Sequence, residues 1–313
     1  MAEPVFEKLT IIGCGLIGSS IALATRDSGA AKRIAIFDRD AAVRDAARTL
    51  GLGDIEDSAD QACADTDCLI ICTPVGALGD ALTACAPALK AGAIVTDVGS
   101  VKGGAIAAMT SATPSQVHLI PGHPIAGTEH SGPEAGFATL FQDAWHILTP
   151  LDKSGPAYSS AVERLAAFWT RLGARVETMP ADRHDRVLAI TSHLPHLIAF
   201  NIVATAYDMQ SVEDGDVVKY SAGGFRDFTR IAASDPIMWR DVFLSNKDAV
   251  LEALGRFSED LAALQRAIRW GDGETLIKEF ERARGIRQAI IEAGMDSAEA
   301  NFGRNKPEPP ETD

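Results

Sequence analysis

Three stretches of the chain place polar or conformationally special residues directly after short apolar runs. They are Thr73-Pro74-Val75, the segment 97–102 (DVGSVK) and the segment 122–129 (GHPIAGTE). Because ligands of doubly wound parallel sheets bind beyond the carboxyl ends of the strands, these three loops are expected to converge on one site. His123 is the candidate general base, since the ordinary pKa of an imidazole lies near neutrality. Ser100 could hydrogen-bond a substrate hydroxyl, or it could be the N-cap of a helix that begins near Lys102.

A glycine-rich loop carries a second chemical signal. The run Gly13-Cys14-Gly15-Leu16-Ile17-Gly18 follows a predicted strand and opens a predicted helix. In that context the glycines allow a tight turn, a close approach to a pyrophosphate and close helix–strand packing. The N-terminus of the helix attracts the same anion. The loop therefore predicts a dinucleotide site, and the alternative is a glycine turn that binds nothing.

Asp38 ends the next predicted strand, twenty residues after Gly18. An acid at this separation accepts hydrogen bonds from a ribose 2′-hydroxyl and repels a 2′-phosphate, which favours NAD over NADP. Arg39 follows immediately and weakens that preference. Thr73, Pro74 and Ser100 are expected to contribute to the cofactor site from neighbouring strand ends.

Apolar runs and helical patterns alternate through the first half of the chain. Strands are predicted at 9–12, 33–37, 68–72, 93–96, 117–120, 145–148 and 175–179, and helices at 16–27 and 40–50. This alternation predicts a parallel sheet covered on both faces, as in a Rossmann-like doubly wound domain.

Helical patterns replace the strand-like runs beyond Pro180. An apolar stripe from Val250 to Ile268 indicates one face of a helix, either core or dimer seam, and a further helix is predicted over 275–293. We therefore predict a dinucleotide-binding domain at 1–180, a helical domain at 181–300 and a disordered tail at 301–313.

The composition excludes several classes of protein. The 313 residues are 46% hydrophobic and 23% charged, with a formal net charge of −14. Whole-chain disorder and a basic nucleic-acid footprint are therefore excluded. Five cysteines without a CxxC pair indicate reduced thiols rather than disulfides or a zinc site. The first ten residues contain no apolar signal core, and no apolar run approaches the ~18 residues of a membrane span. We expect a soluble cytoplasmic protein without a membrane partner.

Four segments, in this order, resemble the signature of the prephenate/arogenate dehydrogenase family. They are DVGSVK at 97–102, GHPIAGTE at 122–129, SHLPH at 192–196 and GGFRDFTRIAASDPIMW at 223–239. The resemblance runs from about Lys8 to Gly294. It implies a Rossmann-like N-terminal domain, a helical C-terminal domain that forms a homodimer, and NAD-dependent oxidative decarboxylation of prephenate or arogenate in tyrosine biosynthesis. We expect neither a chorismate mutase domain nor an ACT regulatory domain.

The resemblance also implies a role for each matching residue. His123 would take the proton of the ring C4 hydroxyl, and Ser100 would bond that hydroxyl and help to orient the imidazole. Arg230 would bind the ring carboxylate, with Asp185 pairing with and orienting that arginine. His196 would lie near the substrate side chain. Further pocket or gating positions would be Thr128, Glu129, Asp227 and Trp239.

Several alternatives remain open at this point. Arg230 could form a salt bridge with Asp227 or Asp235 instead of binding substrate. His193 is expected to pack at a helix start rather than to form a metal pair with His196, because no further ligand at matching spacing completes a set. The chain could also be another NAD(P)-dependent reductase of the β-hydroxyacid or imine type, with a lysine or aspartate base on the helical domain. A catalytically silent NAD-binding oligomer is the third possibility.

Overall fold

A computed structural model describes residues 3–152, 155–210 and 222–292 of the protein. One sheet consists of six parallel strands in the order β3-β2-β1-β4-β5-β6. Its strands are β1 (Phe6–Ile12), β2 (Ala31–Phe37), β3 (Asp54–Ile55), β4 (Cys68–Ile71), β5 (Ile94–Asp97) and β6 (His118–Leu119). The predicted Rossmann-like parallel sheet is confirmed for its first five predicted strands. The two-residue strand β3 was not predicted, and the predicted strands at 145–148 and 175–179 belong to a separate sheet.

Strand residues alternate between two apolar cores, one on each face of this sheet. In β4, Cys68 and Ile70 belong to one core, whereas Leu69 and Ile71 belong to the other. All four side chains are fully buried. Burial on both faces explains why these strands appear in the sequence as unbroken apolar runs.

Six α-helices lie in the described chain before Pro180. They are α1 (Leu16–Ser28), α2 (Ala41–Thr49), α3 (Ala59–Cys63), α4 (Leu78–Cys85), α5 (Lys102–Thr110) and α6 (Pro156–Arg171). Local sequence sets their ends. The Asp40 carboxylate accepts a hydrogen bond from the Ala42 N–H at the start of α2, and α1 ends at Gly29, which has a φ of 63°.

A second sheet of three strands carries the candidate base. It contains β7 (Gly122–Pro124), β8 (Trp145–Leu148) and β9 (Arg175–Thr178), with β7 antiparallel and β9 parallel to β8. The expectation that His123 lies in a loop is wrong, because its backbone pairs with Ile147 in β8. Three residues are too few to show a periodic pattern in the sequence.

Helices make up the described chain beyond Pro180. They are α7 (Ala181–Leu188), a π-helical turn (Ala189–His193), α8 (Leu194–Gln210), α9 (Gly223–Thr229), α10 (Pro236–Ser245), α11 (Lys247–Trp270) and α12 (Gly273–Glu292). A 3₁₀ turn, Arg230–Ala233, lies between α9 and α10. The predicted helix over 275–293 corresponds to α12, with residue 293 outside the described part.

The stretch Ala181–Met209 is long and apolar enough to cross a membrane by length and composition. The expectation that no stretch reaches this length was based on unbroken apolar runs, whereas this one is interrupted by histidine, serine and asparagine. Buried helices of globular proteins share this length and composition. His184 and His193 lie within the stretch and are fully buried in protein.

The chain divides into two compact units, Met1–Ala253 and Leu254–Asp313. The division falls within α11. The predicted domain boundary at 180 rests on the change from alternating to helical patterns and stays a prediction. The predicted disordered tail, 301–313, lies outside the described residues. Every candidate site residue belongs to the first unit.

Candidate active site

The glycine loop joins the end of β1 to the start of α1. Gly13 has a φ of +93°, and a Cβ there would lie 2.9 Å from the carbonyl carbon of Cys72. A Cβ on Gly18 would lie 2.1 Å from the carbonyl oxygen of Gly13, so close packing of β1, β4 and α1 requires both glycines. At Gly15, by contrast, a Cβ would meet nothing within 4 Å. This open cradle, followed by Leu16 and Ile17 in the first turn of α1, fits a pyrophosphate.

Asp38 connects the second strand to this loop. Its carboxylate accepts hydrogen bonds from the backbone N–H of Cys14 at 2.8 Å and of Asp40 at 2.9 Å. The guanidinium of Arg44 donates to the Asp38 carbonyl oxygen at 2.8 Å, while the neighbouring Arg39 is exposed. The acid therefore lies at the glycine loop, and its predicted contact with a ribose hydroxyl stays a prediction.

Thr73 and Pro74 follow β4, beside the glycine loop. The backbone nitrogen of Thr73 is 3.1 Å from where a Cβ on Gly13 would stand. Its hydroxyl oxygen is buried and has no hydrogen-bond partner among the described residues. A buried polar group left unpaired is unfavourable by about 1–3 kcal/mol, so this hydroxyl fits a position that a bound cofactor completes.

His123 is the first member of a chain of three hydrogen-bonded side chains. Its Nδ1 lies 2.9 Å from Nε2 of His184, and Nδ1 of His184 lies 2.8 Å from Oδ1 of Asp185. An ionised carboxylate only accepts, so His184 donates through Nδ1–H and accepts through Nε2. His123 then donates through its Nδ1–H, and its Nε2 keeps the lone pair that a general base requires.

The electrostatic environment favours this arrangement. Burial holds the pKa of His123 well below its ordinary value, and the neighbouring His184 lowers it further. Burial opposes the ionisation of Asp185, but hydrogen bonds from His184 and from two backbone N–H groups outweigh that effect and lower the pKa of its carboxyl. The chain therefore joins an ionised carboxylate to a neutral imidazole.

Asp185 also caps helix α5. Its two oxygens accept hydrogen bonds from the backbone N–H of Lys102 and of Gly103, both at 2.8 Å. The resemblance implied instead that Asp185 pairs with Arg230, and the structure corrects this expectation. Because α7 lies against the start of α5, the carboxylate meets the free N–H groups of that helix, while Arg230 binds Glu129.

Ser100 lies in the loop between β5 and α5. The N-cap of α5 is Val101, so the alternative in which Ser100 caps that helix is not what the structure shows. Ser100 is half-buried. Its predicted contact with a substrate hydroxyl stays a prediction.

The π-helical turn ends at His193, which is fully buried. The amide nitrogen of Asn246 lies 3.1 Å from His193 Nδ1 and donates to the Asp185 carbonyl oxygen at 2.9 Å. Burial lowers the pKa of His193 to about 4. In the described chain, no cluster of three or more His, Cys, Asp or Glu side chains could hold a metal ion.

His196 stacks on Trp239, with ring centroids 3.8 Å apart. Its Nδ1–H donates to the Ser192 carbonyl oxygen at 2.8 Å, which leaves Nε2 as an acceptor. Trp239 is buried, and its indole nitrogen has no partner among the described residues. Burial lowers the pKa of His196, and the charge of nearby Arg230 lowers it further.

Arg230 begins the 3₁₀ turn and pairs with a residue of the loop after β7. Its Nη1 donates to Oε2 of Glu129 at 2.9 Å, and both side chains are partly exposed. Among the described residues, Arg230 therefore pairs with Glu129 and not with Asp227 or Asp235. Asp235 instead accepts a hydrogen bond from the Met238 N–H as the N-cap of α10.

Two further predicted pocket residues lie at the surface. Thr128 is exposed, and its hydroxyl accepts a long hydrogen bond, 3.3 Å, from the His130 N–H. Asp227 is exposed on α9. The structure thus brings five predicted residues into one connected region: His123, Glu129, Arg230, His196 and Trp239. Thr128 and Asp227 lie outside this region, and their roles stay predictions.

Two family models together match most of the chain. Residues 21–178 match the model described as the prephenate dehydrogenase nucleotide-binding domain, and residues 180–282 match the one described as the prephenate dehydrogenase dimerization domain. The chain belongs to the prephenate dehydrogenase family.

Named relatives support the membership. The chain is 42% identical to a cyclohexadienyl dehydrogenase of Zymomonas mobilis over 91% of this chain and 97% of the relative. It is 33% identical to a prephenate dehydrogenase of Bacillus subtilis over 91% of this chain and 76% of that protein. A crystal structure of Aquifex aeolicus prephenate dehydrogenase with hydroxyphenyl propionate and NAD⁺ superimposes with a TM-score of 0.83 at 34% identity, covering 93% of this chain and 99% of the other.

His184 and Asn246 contact residues of the candidate site, and sequence reasoning did not identify either of them. In α7 only His184 and Leu188 are buried, four residues apart on one face of a polar helix. That spacing was a usable signal that His184 faces the protein interior. Asn246 gives no comparable signal, because it follows the last residue of α10 and its contacts depend on how the helices pack.

Proposed function

We propose that the protein oxidatively decarboxylates prephenate, arogenate or both, with NAD as cofactor. The observation that carries the proposal is the His123–His184–Asp185 chain, which leaves Nε2 of His123 as a proton acceptor. The glycine loop, Asp38 and Thr73 would hold NAD, and the bound cofactor would supply the acceptor for the hydride of ring C4. His123 takes the proton of the C4 hydroxyl, and loss of carbon dioxide makes the ring aromatic.

The neutral state of His123 suits this role. Only a neutral imidazole can accept a proton, and burial holds the pKa of His123 well below its ordinary value. The base is therefore unprotonated at neutral pH without any change in its surroundings. A positioned general base typically contributes about 10²–10⁴-fold to the rate.

Arg230 supplies the positive charge for the ring carboxylate. Its planar guanidinium can bind a carboxylate with two parallel hydrogen bonds, and it is already paired with one carboxylate, that of Glu129. A substrate carboxylate would compete with Glu129 for the same donors. Asp185 orients the base His123 through His184 and does not orient Arg230.

The side-chain end of the substrate is assigned to His196 and Trp239. Nε2 of His196 and the unpaired indole N–H of Trp239 supply an acceptor and a donor beside Arg230. An acceptor favours the amino group of arogenate, and a donor favours the keto group of prephenate. His196 and Trp239 together therefore support binding of both prephenate and arogenate. The Zymomonas relative is named a cyclohexadienyl dehydrogenase.

NAD is the proposed cofactor in preference to NADP. The Asp38 carboxylate stands at the glycine loop, where it would repel a 2′-phosphate. Arg39 is exposed, and Arg44 is engaged with the backbone of residues 38 and 39. Ser100, Thr128 and Asp227 keep their proposed roles at the pocket and its rim.

We also propose a cytoplasmic homodimer. The described helices expose large apolar side chains that a partner subunit would cover, among them Tyr207, Ile237, Leu244 and Leu251. The stripe on α11 is not core along its length, because Val250 is buried but Leu261 and Ile268 are exposed. The five cysteines are free thiols, as in a reducing compartment.

NADH formation with each substrate tests the proposed function. The chain is expected to produce NADH from prephenate, arogenate or both, with NAD preferred to NADP. His123→Asn should bind NAD normally and lose most of kcat. His118→Asn is the matched control, since His118 is a strand histidine of β6 outside the site. Normal turnover by His123→Asn would refute the assignment of the base.

A further inference from the structure

Asp97 and Lys102 form an ion pair wholly inside the protein. Lys102 Nζ lies 2.5 Å from Asp97 Oδ2, and both side chains are fully buried. Removing two charges from water is unfavourable by several kcal/mol per ion, and apolar replacements of such pairs are often neutral or stabilising. Stability alone is therefore a poor explanation for this pair.

The pair holds both backbone polar groups of a single residue, Gly122. Lys102 Nζ donates to the Gly122 carbonyl oxygen at 2.6 Å, and the Gly122 N–H donates to Asp97 Oδ1 at 3.3 Å. Gly122 directly precedes His123, and its carbonyl belongs to the peptide bond that joins the two residues. A Cβ on Gly122 would lie 2.8 Å from His146 Nε2, so the strand has little room to shift.

We propose that the buried Asp97–Lys102 pair is a positioning device that fixes the Gly122 peptide and thereby aims the imidazole of His123. This inference rests on the proposed function, in which His123 is the base. Lys102 is also the first residue of α5, whose N–H groups bind Asp185. The start of α5 therefore acts on His123 in two ways. The Lys102 side chain binds the backbone carbonyl that precedes His123, and the α5 N–H groups bind Asp185, which contacts the His123 ring through His184.

The charge of Lys102 also acts on the base. Burial is the main reason that the pKa of His123 is low, and the groups that lower it further are His184 of α7, Lys102 of α5, His146 of β8 and His193 of the π turn. Removing the lysine charge should raise the pKa of His123. The acid side of the activity profile should then move to higher pH.

Lys102→Met tests the proposal in the full-length protein. We expect kcat to fall by about 10–100-fold, because a small misplacement of a reacting group has effects of this size, with KM for NAD nearly unchanged. Lys8→Met is the matched control. Lys8 is also buried and donates to a carbonyl, that of Ala64, at 2.6 Å, but it lies near the amino end of β1. The kcat of Lys8→Met should equal that of the parent protein. If the kcat of Lys102→Met also equals it, the proposal is overturned.

A double-variant comparison separates positioning from general structural support. In a His123→Asn background, Lys102→Met should cause little further loss of kcat, since no base remains to be aimed. An equal loss in both backgrounds would overturn the proposal. If Lys102→Met does not fold, Asp97→Asn replaces it, since this change keeps the side-chain shape and removes the charge. A kcat reduced severalfold is then expected, and a normal kcat would contradict the inference.

Failure of the proposed function is recognised separately. If the parent chain forms no NADH from prephenate or arogenate, the proposed function fails whatever the variants do. Nuclear magnetic resonance of the His123 ring then tests the positioning without turnover. Lys102→Met should shift the ring resonances and raise the pKa of His123, whereas an unchanged His123 titration would overturn the inference.

Discussion

Replacing His184 with phenylalanine is the sharpest test of the hydrogen-bonded chain. The change keeps an aromatic ring in the buried position and removes both of its hydrogen bonds, to His123 and to Asp185. The Nδ1–H of His123 would then be buried without an acceptor. The ring would no longer be held in the tautomer whose Nε2 lone pair is free to accept a proton. Asp185→Asn is less informative, because it also disturbs the cap of α5.

The expected magnitude follows from the lost hydrogen bond. Leaving a buried donor unpaired is unfavourable by about 1–3 kcal/mol. Since about 1.4 kcal/mol corresponds to a factor of ten, kcat should fall by about 5- to 150-fold.

The assay is kcat as a function of pH, together with NAD affinity and melting temperature. His118→Phe is the control, since it replaces a half-buried histidine that packs edge-on against Tyr158, with centroids 6.0 Å apart. Its profile should match the parent. If a folded His184→Phe variant kept the parental kcat, the chain would not orient the base.

Three further outcomes are expected. Arg230→Lys should raise KM for the substrate by about tenfold or more and leave KM for NAD unchanged, since lysine cannot form the bidentate pair; equal changes in both would indicate a structural role. Asp38→Asn should increase kcat/KM with NADP relative to NAD, and an unchanged ratio would argue against Asp38 as the discriminating acid. The melting temperature should fall as the pH drops from about 6.5 to about 4, since the pKa of buried His193 is about 4 and the unfolded chain binds its proton first. A melting temperature that is constant over this range would contradict the burial of neutral histidines.

The sequence predicted the parts of the fold that depend on local pattern. Buried strands such as β4 form unbroken apolar runs, and the glycine loop combines a strand end, a helix start and fixed glycine spacing. Each of these signals is contained within a few consecutive residues. The fully parallel sheet and the position of Asp38 at the loop followed from these short-range patterns.

The contacts of the site were harder to predict because they join distant segments. Asp185 lies 83 positions from the N–H group of Lys102 that it binds, and Arg230 lies 101 positions from Glu129. No spacing rule links such pairs, and the resemblance gave Asp185 the wrong partner, Arg230. The strand that carries His123 is only three residues long, and its pairing with β8 decides its conformation.

Asp185 links the geometry of the base to the packing of the helices. Its Oδ1 receives hydrogen bonds from both His184 and the Lys102 N–H, and its Oδ2 receives one from the Gly103 N–H. The N-terminus of α5 stabilises this anion, and the bonds lower the pKa of the carboxyl below its ordinary value. Asp185 therefore stays ionised throughout the pH range in which an ordinary histidine titrates. The carboxylate therefore continues to accept the His184 Nδ1–H across that range, and a loss of activity there would not come from protonation of Asp185.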